Sequence, residues 1–162
     1  MNKTNQTSDK GFLFGKKNKV SVWVSTHAYA EIPEEYFEES FSKNNTRAKN
    51  QWSNNFKMRY FRPEDMETNG SMEGTVNLEK AAGQCSFSSS FISPLLSKAK
   101  KKGISEITWI VLLFDYEYSA KLSGVESDDY LTLLGAFSYE DDADSLYEVA
   151  DDEDEQAQEN DD

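Results

Sequence analysis

Apolar and polar residues alternate strictly over Lys19 to Thr26, KVSVWVST. Val20, Val22 and Val24 share one side of an extended chain, and Ser21, Trp23 and Ser25 share the other. The pattern predicts a strand with its valine face in the core. The spacing then changes. In EIPEEYFEESF, Ile32, Tyr36, Phe37 and Phe41 recur at helical intervals. Pro33 suits a first helical turn, and Glu34 and Glu35 suit its positive end. The spacing predicts a helix from Pro33 to about Lys49 whose apolar stripe belongs to the core.

The stretch from 50 to 84 carries weaker signals. FKMRYF reads as a short strand with Phe56, Met58 and Tyr60 on one face. RPEDMETNGSMEG reads as a turn-rich loop with one helical turn at Pro63 to Glu67. TVNLEKAA is a weak helix or an irregular connection. CSFSSSFISPLLSKAKKKG has a firmer pattern. Phe87, Phe91, Leu95 and Leu96 share a helical face, a serine near 88 can cap the start, and Gly103 closes the end. Pro94 either kinks this helix or opens a second one. Lys98, Lys100, Lys101 and Lys102 fall in the last turns, where cations favour the negative helix end.

ISEITWIVLLFDYEYS, 104 to 119, is apolar on both faces from Ile107 to Phe114, as a strand in the middle of a sheet must be. GVESDD is a turn, and YLTLLGAFSY, 130 to 139, is another strand; the short connection predicts an antiparallel hairpin. The resulting order is that of an α+β domain: a small, mostly antiparallel sheet with helices packed on one face. The domain is expected over 19–139, between a flexible N-terminal arm, 1–18, and a disordered acidic tail, 140–162.

The charge balance supports that division. The 162 residues carry a formal net charge of -13, with 30 acids against 17 Lys and Arg. Thirteen of the acids lie between Glu140 and Asp162, where there is no Lys or Arg, so the remaining 17 acids match the 17 bases of the body. A neutral body with an acidic tail opposes general nucleic-acid binding, which requires clustered bases. The tail has too little apolar area to offset its ordering entropy, and it can attract a basic partner. The longest apolar stretch, Trp109 to Phe114, is far below the roughly 20 residues that span a bilayer. The N-terminal sequence has no apolar segment of the length a secretory signal needs. A protein of the cytoplasm, with no membrane partner, is the expectation.

Candidate chemistry is sparse. His27 is the single histidine and Cys85 the single cysteine, so no two-imidazole metal site, internal disulfide or cysteine cluster is available. The serines at 88 to 90 lack the flanking glycines of a nucleophile elbow, and no phosphate-binding glycine motif occurs. No catalytic residue, metal ligand set or cofactor is expected. Asp115 and Glu117 stand two apart on a strand, hence on one face. An acid–base or divalent-ion role would need further carboxylates, from Glu64 and Asp65 or from Asp128 and Asp129. The alternative is a protein-binding rim. Tyr116, Tyr118, Tyr130 and Tyr139 surround the expected hairpin, with acids among them, and tyrosine is enriched at interface hot spots. Such a rim suits a basic protein. The candidate binding residues are therefore Asp115, Tyr116, Glu117, Tyr118, Glu64, Asp65, Asp128, Asp129 and Tyr130. An adaptor that recruits a basic protein through the tail, and a metal-dependent hydrolase, are the competing readings.

The order KVSVWVS, EEYFEESF, SFSSSFISPLLSKAKKKGI, ITWIVLLFDYEYS, YLTLLGAFSY resembles the bacterial immunity protein 22 family over roughly residues 19 to 139. The resemblance is best over 86 to 139. In the middle, MRYFRPEDME resembles the family's aromatic-acidic segment, from which Arg59 and Arg62 depart. It implies a non-enzymatic protein that binds and neutralises a cognate toxin in the cytoplasm. The toxin class is not part of that implication; acid on the inhibitor suits a basic nuclease.

Overall fold

A computed structural model describes residues 11–41 and 47–147. Its centre is a four-stranded antiparallel sheet built from β1 (Gly15–Ser25), β4 (Met66–Gly70), β7 (Trp109–Tyr116) and β8 (Thr132–Ser138), in the order β4-β7-β1-β8. Two short ribbons flank it, β2 (Ser40–Phe41) with β3 (Ala48–Lys49), and β5 (Val76–Asn77) with β6 (Glu106–Ile107). The helices are α1 (Gln51–Asn55), α2 (Leu78–Gly83), α3 (Ile92–Lys101) and α4 (Ala120–Ser123). This is the expected α+β class with an antiparallel sheet.

Each face of the sheet has its own core. On one, Val20, Val22, Val24, Ile110, Leu112 and Phe114 meet α2 and α3 through Leu78, Ala82, Phe91 and Leu95. On the other, Trp23, Val111 and Leu113 meet α1 and its flanks through Trp52, Phe56 and Phe61. The longer helices thus cover one face, and short irregular segments cover the other. Trp23 and Trp52 meet edge to face at 5.1 Å, and among the described residues neither indole N–H has an acceptor.

β7 is central and buried on both sides, as its unbroken apolar run demands. The first strand departs from its expected one-sided burial, because Ser21, Trp23 and Ser25 are also buried. Trp23 is enclosed by Trp52, Phe56 and Tyr118. Ser21 Oγ donates to Tyr116 O at 2.7 Å and accepts from Tyr118 N at 2.8 Å.

The expected hairpin of the last two strands does not form. β8 pairs with β1, and α4 occupies the connection. β7 has no edge to offer, since β4 and β1 hold both of its sides. β4 replaces the second half of the expected loop; only Pro63–Asp65 forms a helical turn, of 3-10 type.

The helix expected from Pro33 to about Lys49 is also absent. Two 3-10 turns, Tyr29–Glu31 and Glu34–Phe37, give way to extended backbone at Glu38 and then to β2. Residues 42–46 lie outside the described chain. Two causes act together. Glu31/Glu35, Glu34/Glu38 and Glu35/Glu39 would repel at helical i,i+4 spacing. Tyr36 instead turns inward, fully buried, and donates its hydroxyl to Asp128. FKMRYF is likewise not a strand. Phe56 closes α1, Lys57 takes a left-handed φ of 60°, and Met58 and Phe61 make isolated bridges to Phe12 and Ala48.

The third helical segment begins later than its pattern suggests. Phe87 has φ 60°, a 3-10 turn follows at Ser88–Ser90, and α3 starts at Ile92. Pro94 sits in its first turn, where the missing N–H costs nothing. Ser88 does not cap it. Its Oγ donates to Gly83 O and accepts from Leu146 N. The described parts of both chain ends lie against the body: Phe14 is buried, and Tyr147 N donates to Gly83 O at 2.9 Å.

Candidate functional site

The acidic and aromatic residues at the end of β7 owe their positions to a bulge. Val20 pairs with Phe114 and Gly15 with Tyr116, so four residues of β1, Lys16 to Lys19, stand opposite Asp115 alone. Asp115 takes φ 58°, a left-handed conformation that aspartate tolerates better than most residues. Its Oδ1 accepts from Asn18 N at 2.9 Å and from the Tyr139 hydroxyl at 2.7 Å. The left-handed backbone at Asp115 reverses the alternation of the strand. Phe114 faces the core under α3, whereas Tyr116 and Tyr118 face the opposite core.

Tyr116 and Tyr118 are therefore interior, not rim. Both pack on Phe14, at 5.7 and 4.8 Å. Burial raises both phenols, Tyr118 to about 12 against an opposing hydrogen bond from Ser123. Tyr139 is also buried, stacked on Phe87. Glu117 stays half-buried and pairs with Lys19 at 3.6 Å. Asp128 is a structural hub: it accepts from Tyr36 Oη, Asn55 Nδ2, Tyr130 N and Leu131 N. Tyr130 is half-buried against Tyr36 and His27, while Asp129 is exposed.

The fold does bring Asp65 to Asp115. They line one cleft of about 290 Å³ with Phe14, Phe61 and Arg62. Burial pushes the Asp65 carboxyl up; Arg62 opposes this, and Glu64 and Asp115 add to it. Glu64 is exposed and held below its ordinary range by its hydrogen bond from Arg62. Among the described residues no three His, Cys, Asp or Glu are grouped to hold a metal ion.

Of the single cysteine and the single histidine, only the cysteine lies in a core. Cys85 is buried in the core beneath α2, its thiol pushed up by burial and donated to Ala81 O. His27 is exposed and faces Glu31 and Tyr130. No described helix is long and apolar enough to cross a membrane.

Sequence patterning missed a second acidic-aromatic surface. Tyr29, Ile32, Phe37, Trp109, Glu34 and Glu35 line a groove of about 520 Å³ at the opposite end of β7. Ile32 and Phe37 read as part of a helix stripe and Trp109 as a strand start, while Tyr29, ahead of that stripe, is 41% exposed.

Structure and residue inventory together define a small α+β protein whose prominent polar groups hold the fold and whose accessible features are surfaces. A family model described as Immunity protein 22 matches residues 20–140. The chain belongs to the Immunity protein 22 family. That membership points to a role in toxin immunity with a protein as the partner. Comparison with curated proteins found no match, nor did comparison with solved structures.

Proposed function

We propose that this chain is a non-enzymatic immunity protein that binds a cognate toxin domain in the bacterial cytoplasm and neutralises it by covering its working surface. The family match over 20–140 carries this reading. The inventory of the described residues supports it: Cys85 is buried and engaged, and the hub carboxylates Asp115 and Asp128 are spent on internal hydrogen bonds. A basic toxin domain, a nuclease being one such class, suits the net charge of -13. Residues 19–139 form the binding body. The acidic tail, 140–162, speeds association by attracting the basic partner, and it contributes little to the final contact.

Co-expression with a candidate toxin domain taken from a neighbouring gene tests the reading. Expected are restored growth of cells making the toxin and a stoichiometric complex on purification. Absence of both would end it. Deleting 148–162 should slow association several-fold at low salt and leave dissociation unchanged.

A further inference from the structure

The groove at Tyr29 and Trp109, at the start of β7, combines three properties that do not occur together at the Asp115 end of that strand. First, its aromatic area is accessible. Tyr29 is 41% exposed and lies 5.5 Å from the half-buried Trp109 ring, tilted by 49°.

Second, it is held in shape. Thr108 Oγ1 lies 2.5 Å from His27 O and 3.1 Å from Ser25 O, which ties the turn before Tyr29 to the start of β7. Trp109 lies close over Gly70, where an added Cβ would come within 2.7 Å of the indole. Phe37 anchors the far wall on buried Trp52 at 5.8 Å. A preformed aromatic wall binds with little loss of side-chain entropy.

Third, its charge has one sign. From His27 to Glu39 there are five glutamates and no Lys or Arg. Glu31, Glu34, Glu35 and Glu38 are exposed, and among the described residues no base lines the groove. The Glu31 carboxylate lies 3.6 Å from the His27 ring.

An aromatic wall edged by carboxylates matches a side chain that is apolar along its stem and cationic at its end. We propose that this groove is the docking face for the toxin, and that a cationic segment of the toxin lays an arginine or lysine over Tyr29 and Trp109 within reach of Glu34 and Glu35. This rests on the immunity reading for the partner's identity and adds the contact chemistry.

Trp23 and Trp52 are fully buried, so a solute reaches tryptophan emission through Trp109. A capped hexa-arginine peptide titrated into the full chain should change that emission saturably. Affinity should fall about tenfold in E34K/E35K and in Y29A, and be unchanged in E79K/E126K, whose exposed glutamates lie in α2 and beside the end of α3. Circular dichroism checks that each variant is folded; the exposed glutamate variants stay informative even if Y29A is not. No saturable change, or equal affinity in E34K/E35K, would overturn the proposal. The toxin domain gives the second arm. If it binds the wild type and E34K/E35K alike, the groove is not the docking face and the immunity reading stands. If the peptide binds the groove but the toxin does not bind the chain, the immunity reading fails while the cationic specificity of the groove survives.

Discussion

Asp128 shows how one carboxylate can look functional in sequence and be structural in space. It stands beside Asp129 and Tyr130, as a recognition residue would, yet its two oxygens serve two side chains and two backbone amides. Replacing Asp128 by alanine strands the buried Tyr36 hydroxyl and two backbone N–H groups. Asp128→Ala should cost about 2–4 kcal/mol in urea unfolding. Asp128→Asn keeps an acceptor for the backbone amides and should cost less than half of that. Equal losses would mean that the charge, rather than the hydrogen bonds, matters. Asp115 makes the same point from β7. Its acid-aromatic neighbourhood was legible in the sequence, but its left-handed φ was not, because Asp is compatible with both a strand and a bulge.

At the level of elements, periodicity located the buried parts of β1, β7, β8 and α3. It failed for short or polar elements. β4 reads METNG, with no apolar alternation, and becomes a strand by pairing with β7 at residues 66–70. Its end depends on Gly70, at φ 150°, where a Cβ would lie 2.2 Å from Thr108 O. Gly70→Ala should therefore destabilise by about 2 kcal/mol or more. Amide exchange should quicken first in β4, while β1 and β8 stay protected. Gly15→Ala is the control: a Cβ there meets nothing within 4 Å, and the change should be within about 0.5 kcal/mol. A uniform loss of protection in Gly70→Ala would show that β4 unfolds only with the whole sheet.

The molecule as a whole is a sheet between two cores, and its buried phenols set an alkaline limit. Burial raises Tyr36, Tyr116, Tyr118 and Tyr139 above the ordinary value of 10.0. The unfolded chain releases these protons first, so it binds fewer protons than the native state above pH 10. Stability is then intact below that pH and declines as pH rises toward about 12, where Tyr118 ionises. Tyr36 and Tyr116 each steepen the decline by about 1.4 kcal/mol per pH unit. Phenolate absorbance should rise together with loss of the sheet signal. Ordinary titration of every tyrosine near pH 10 with the fold intact would contradict this placement.

The sequence by itself determined the α+β class, the two-sided burial of β7, the lysine-rich close of α3 and the scarcity of catalytic groups. Those follow from local spacing and from residue inventory, which need no partner to be read. Only the tertiary structure decided that β8 joins β1, that Tyr116 and Tyr118 turn inward, and that residues 29–37 form turns beside Trp109. Each of those outcomes depends on which edge is already occupied and on local backbone turns, such as the left-handed one at Asp115, that select a face. Such choices are made between segments distant in the chain, where a one-residue change of register exchanges inside for outside.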